Sequence, residues 1–175
     1  MPTAKKKTVA APVMPYTGNS DPSDGPRPGT LKFAEIMVNR GFKNLGIWAN
    51  RPMRGSTRLS VHATGRAVDL GYDPKKAALV GAYCLWLEAN HVALGIEEIH
   101  DYSGTSKAGT EKWGRGFRCN RNGSPGWKDW TETDNGGTPG GKWIHVELSP
   151  AMADDPRAFV KAWKTVSETA PAALA

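Results

Sequence analysis

The chain reads as an α+β domain, a small, mostly antiparallel sheet flanked by two or three helices. Three features predict this class. Residues 66–72 and 142–148 are short, apolar and alternate with a period of two, the pattern of half-buried strands. Residues 74–90 carry Ala78, Leu79, Ala82, Leu85, Trp86 and Ala89 at helical spacing. Asp154-Asp155-Pro156 opens another amphipathic helix, with Phe159, Val160, Trp163 and Val166 on one face.

In chain order, residues 1–29 are rich in Pro, Gly, Ser and Lys and have no hydrophobic period, so they read as a flexible basic tail. Residues 30–170 form the domain. Thr30 is placed to cap a helix whose apolar face is Leu31, Ala34, Ile36, Met37 and Val38, ended by Gly41. Residues 45–49 read as a short strand, and 50–59 as a basic loop with Arg51, Arg54 and Arg58. Asp73 is an N-cap and Pro74 a first helical residue. Residues 93–102 read as a strand, although Ile96 and Ile99 break strict alternation. The glycine-rich stretch 103–141 reads as a long loop, either lining a groove or anchored to the core by Trp113, Trp127 and Trp130. Cys84 fills core in the helix, while Cys119 lies in this loop. The last residues, 170–175, are expected to fray.

The most informative stretch is Ser60-Val61-His62-Ala63-Thr64-Gly65-Arg66-Ala67-Val68-Asp69. It places a histidine and an aspartate seven positions apart, across a glycine that permits a turn. Imidazole and carboxylate are ligands that suit zinc. On a strand, Ala67, Asp69 and Gly71 share one face, and the small neighbours leave room for a metal. A third ligand is available in His145, which shares a strand face with Trp143 and Glu147. Either histidine alone could be an ordinary strand-end polar residue; the joint pattern points to a site. Three protein ligands, His62, Asp69 and His145, with a fourth position open are the pattern of a catalytic zinc. The expected position is the sheet edge.

These motifs resemble the zinc D-alanyl-D-alanine carboxypeptidase superfamily, which includes VanY-like enzymes and phage L-alanyl-D-glutamate peptidase endolysins. The run from Arg51 through Asp69 also resembles the extensin-like C-terminal domain. The resemblance spans roughly residues 30–150 and is specific at SxHxxGxAxD and at the His-Val-Glu-Leu strand. It implies zinc held by His62, Asp69 and His145, and hydrolysis of a peptide bond in bacterial peptidoglycan. It also implies an arginine that orients a substrate carboxylate, for which Arg54 is the choice. The chain departs from the family three residues before the last histidine. Lys142 stands where relatives carry an acid, and a protonated ammonium cannot accept a proton from water. Glu147 is then either a group that supports the ligands or a substitute base. Glu98, Asp101 and Asp134 are further candidate bases, His100 is a candidate ligand or acid–base group, and Ser60 is expected to hydrogen-bond around the ligand set.

A formal charge of +6 and a pI of about 9.4 suit an anionic partner. With this motif, the favoured partners are peptidoglycan peptide stems and, for a phage protein, other virion proteins. The scattered lysines and arginines match no nucleic-acid-binding motif, which leaves nucleic acid the weaker reading. No run of about 18 apolar residues exists, so no membrane span is expected. Lys5-Lys6-Lys7 is not followed by a signal-peptide core. A wall-directed protein of this kind is expected to leave the host cytoplasm through a holin or to travel in a virion. The alternative is a weak or inactive metal-binding relative that serves as a phage structural or wall-binding protein.

Overall fold

The computed structural model describes residues 13–53, 55–102, 113–132 and 140–174. Six strands form one antiparallel sheet in the order β1-β2-β6-β3-β4-β5. They are β1 (Lys43–Gly46), β2 (Ala67–Gly71), β3 (Ile96–Asp101), β4 (Arg115–Arg121), β5 (Ser124–Asp129) and β6 (Trp143–Leu148). Three long helices accompany them: α1 (Pro28–Asn39), α2 (Ala77–Ala89) and α5 (Pro156–Val166). Two shorter ones, α3 (His91–Leu94) and α4 (Pro150–Asp154), are little more than single turns. The α+β class is thus as the sequence predicts.

Alternation divides the sheet into two faces. Val68, Leu70, Ile99, Phe117, Ile144 and Val146 all join the core cluster with Phe33, Met37, Tyr83 and Phe159 from the helices. The opposite face carries Asp69, His145, Glu147, Glu98 and His100, and it forms the floor of a cleft. Every large aliphatic side chain of the two central strands therefore points to the helices, which leaves the other face to polar chemistry.

Several elements differ from the expectation for identifiable reasons. Helix α1 begins at Pro28, whose fixed φ suits a first turn, so Thr30 is a buried helical residue rather than the cap. On α2 the buried face is Val80, Tyr83, Cys84 and Leu87 (Leu85 is exposed), because a helix apolar nearly all round leaves the choice of face to the sheet. The broken alternation at Ile96 and Ile99 is a register shift between Ile96 and Glu98, with Glu97 as the extra residue. The stretch expected as a long loop contains the hairpin β4–β5, turned by Asn122 and Gly123, both at positive φ. Cys119 is therefore a buried strand residue, and it and Cys84 are both free thiols. The C-terminal residues are tied down rather than frayed: Leu174 donates its N–H to the Arg40 carbonyl at 2.7 Å and is buried.

Residues 1–12 of the expected tail lie outside the described residues. The rest of it, 13–27, is a strap bound to the domain. The Thr17 N–H and hydroxyl donate to the Glu97 carboxylate at 3.1 and 2.8 Å, the Asn19 amide donates to the Leu59 carbonyl at 2.6 Å, and the Arg27 N–H donates to the Gly65 carbonyl at 3.1 Å. Composition missed this because the attachment is polar and depends on partners far along the chain. Beneath the strap lies a wholly buried ion pair, Arg66 Nη1 to Glu97 Oε2 at 3.3 Å. Arg66 also donates to the carbonyls of Leu148 and Gly18. Removing one member of a buried pair strands the other's charge. Glu97→Ala is accordingly expected to lower the free energy of unfolding in urea by about 3–5 kcal/mol; a loss under about 1 kcal/mol would mean that water reaches and relieves Arg66.

Candidate metal centre

His62 rides on a 3-10 turn, Val61–Thr64, that leads into β2. The Ser60 hydroxyl caps this turn by accepting the His62 N–H at 3.3 Å, which gives the motif serine a concrete role in placing the ligand. The turn ends at Gly65 with φ +70°, and a Cβ there would also collide with the Gly25 carbonyl of the strap. Two constraints, backbone hand and close approach, therefore demand glycine at this motif position.

Strand pairing brings the other two ligands in. Asp69 on β2 lies directly opposite His145 on β6, and His145 lies opposite His100 on β3. The next row of the same face is Ala67, Glu147, Glu98 and Arg118. Because β6 is a central strand, the cluster sits on the face of the sheet rather than at an outer strand.

His62 Nε2 lies 3.3 Å, and His145 Nδ1 2.8 Å, from Asp69 Oδ1. The three side chains offer ligand atoms within 4.8 Å of one another, and among the described residues they are the group of His, Cys, Asp or Glu that can hold a metal ion. Their second nitrogens are engaged elsewhere. His62 Nδ1 is 2.9 Å from the Ile47 carbonyl oxygen, and His145 Nε2 is 3.1 Å from Glu147 Oε1. A carbonyl or carboxylate oxygen only accepts, so each of these nitrogens carries the proton. The nitrogen of each ring that faces Asp69 is then the one directed at the candidate metal position, where a metal would take the place of its proton.

Glu147 thus holds a ligand by its far side. Its other oxygen, Oε2, accepts from the Tyr16 hydroxyl at 3.4 Å. Burial, then the charges of Glu147 and Glu98, keep that phenol protonated. In the next position Glu98 accepts two hydrogen bonds from Arg118 Nη2, both at 2.9 Å, and its Oε1 is 3.1 Å from His100 Nε2. Burial alone would raise the Glu98 carboxyl; His100 and Arg118 outweigh it and hold it down. The His100 ring stacks on His145 with centroids 4.9 Å apart, and its Nδ1 is 3.0 Å from the Tyr102 hydroxyl.

The sequence candidates separate accordingly. His62, Asp69, His145, Glu147, Glu98 and His100 all line one cleft of about 550 Å³. Lys142 does not: it is exposed at a bend just before β6 and is not among the residues that line the cleft. Asp101 is on the core face of β3 and fully buried. Arg54 and Asp134 lie outside the described residues; the neighbouring Arg51 and Arg58 line the cleft. Sequence reasoning missed Tyr16 and Arg118, since neither lies near a motif. A shallower groove between α1 and α5, bordered by Lys32, Arg157, Lys161 and Lys164, contains no metal-ligating group. Comparison with protein-family models, curated proteins and solved structures finds no match to this chain.

Electrostatics tie metal uptake to pH. Burial would lower the His145 pKa, but its hydrogen bonds to Asp69 and Glu147 and their negative charge raise it to about 10. Burial would likewise raise the Asp69 carboxyl, and the hydrogen bonds from His145 and His62 hold it well below the usual range. A metal must displace the His145 proton, so low pH opposes binding. Measured by chelator competition, affinity for a divalent metal is expected to rise about ten-fold per pH unit between about pH 6 and 8. A flat profile would remove His145 from the ligand set.

Proposed function

We propose that this chain is a zinc-dependent hydrolase that cuts a peptide bond in bacterial peptidoglycan, of the kind a phage uses as an endolysin or virion-associated lysin. The observation that carries the reading is the His62–Asp69–His145 cluster on the cleft floor, with both far nitrogens held so that the two near nitrogens converge on Asp69. Two imidazoles and a carboxylate with room for a further ligand suit zinc at a catalytic site. A bound metal would polarise the scissile carbonyl and acidify water.

The remaining chemistry falls to the chain's own side chains. Glu147 orients His145 and is committed to it, so it is not the proton acceptor. His100 is the better group for that task. Glu98 faces its Nε2, and Tyr102 stands at Nδ1 as a relay. His100 would accept the proton at Nδ1 and return it to the leaving amine. Arg51 and Arg58 on the wall suit the carboxylates of peptide stems, while Tyr102, Trp130 and Trp143 offer apolar surface. The net charge of +6 suits an anionic partner, and the motif favours the wall over nucleic acid. Exit through a holin, or carriage in a virion, fits the same reading.

A second reading has its own observation. Asp69, Glu98 and Glu147 are each paired with histidine or arginine, and position 142 is an exposed lysine outside the cleft lining. A metal-binding relative with little or no activity, acting as a phage structural or wall-binding protein, would tolerate both. The discriminating assay is mass spectrometry of products from purified peptidoglycan. The expected outcome is cleavage abolished by a chelator and restored by zinc. His100→Ala should retain the metal while losing about 100- to 10,000-fold in rate, the usual contribution of a positioned acid–base group. One bound metal with no cleavage of any stem peptide would decide for the second reading.

A further inference from the structure

The strap reaches the metal cluster through a continuous set of contacts. Thr17 and Gly18 are clamped by the buried pair beneath them: Glu97 accepts from the Thr17 N–H and hydroxyl, and Arg66 donates to the Gly18 carbonyl. The Pro15 carbonyl lies 3.6 Å from Cys119 Sγ. Between these anchors, the Tyr16 ring lies under the Arg118 guanidinium, 4.0 Å from its centroid, and its hydroxyl donates to Glu147 Oε2. Glu147 Oε1 in turn takes the proton of His145 Nε2, and His145 Nδ1 faces Asp69.

We propose that the strap is a working part of the metal centre, with Tyr16 as a positioning residue that holds Glu147 on His145 and thereby sets the affinity for metal. This rests on the metal reading above. The physical reason is geometric. A carboxylate held at one oxygen by His145 alone can rotate about its last torsion; a second donor at the other oxygen fixes its plane. The ring position needs no energy from the metal. Arg118 stacks on one side of the ring, and the clamp fixes the backbone on the other. The clamp also works in the reverse direction. Without Thr17, Glu97 would lose its strap donors while remaining buried, so the strap and the pair stabilise each other.

The test uses the full chain and zinc alone, with affinity measured by chelator competition and folding by melting temperature. Tyr16→Phe keeps the ring under Arg118 and removes only the hydroxyl. It is expected to weaken zinc binding by about ten-fold, the lower end for loss of an outer partner of a ligand, with little change in metal-free melting temperature. Thr17→Val, which leaves Tyr16 itself intact, should lower both the melting temperature and the zinc affinity. Tyr16→Phe should add nothing in a Glu147→Gln background, since its effect is transmitted through that carboxylate. Equal affinity in parent and Tyr16→Phe would overturn the role of Tyr16 while leaving the metal site standing. So would an undiminished Tyr16→Phe effect in the Glu147→Gln background. A parent chain that takes up no zinc would overturn the metal reading and this inference together.

Discussion

The antiparallel register of β2 against β6 is the constraint on which the site depends. It sets Asp69 opposite His145, and the pairing of β6 with β3 extends the row to His100. A slip of one residue would turn every side chain of a strand to the other face. Asp69 and His145 would then enter the core, while Val68 and Val146 would face the cleft. The cost of burying those charges unpaired, and of exposing the aliphatic set, makes the register self-enforcing. The hydrophobic core thus specifies the polar site as strictly as it specifies the fold.

Charge on the cleft face is arranged so that no carboxylate stands alone. Asp69 lies between two histidines, Glu147 between His145 and Tyr16, and Glu98 between His100 and Arg118. In low-dielectric surroundings such a set is stable only when each negative group has its partner. The same arrangement makes His145 hold its proton tightly, so proton and metal compete for one position. It also gives Glu147 and Glu98 different neighbours despite their adjacent places on the sheet: one faces His145, and the other faces His100 and Arg118.

The N-terminal strap adds a second layer to this arrangement. Its backbone completes the coordination of a buried Arg66–Glu97 pair, whose Arg66 directly follows the motif turn in sequence. Its passage over Gly65 explains why the motif glycine cannot carry a side chain. Segments distant in sequence are thereby joined, and through Tyr16 the strap reaches the cleft face that carries His62, Asp69 and His145.

Local pattern determined a good part of this protein. The alternation of residues 142–148, the cap at Asp73 and the composition of SxHxxGxAxD are properties of neighbouring residues, so the α+β class and the trio His62, Asp69 and His145 were legible. The Asn122-Gly123 turn was legible too, as a hairpin signal that the surrounding glycines obscured. Only the tertiary structure decided the rest. Which face of α2 is buried depends on the sheet it meets, because its own apolar residues surround the helix. That Tyr16 enters the cleft and meets Glu147, that Arg118 pairs with Glu98, and that Thr17 binds Glu97 are set by strand pairing and by contacts that reach from 20 to 131 residues along the chain. Hydrogen bonds of that reach leave no period or spacing in a sequence, since each depends on two segments that only the folded sheet brings together.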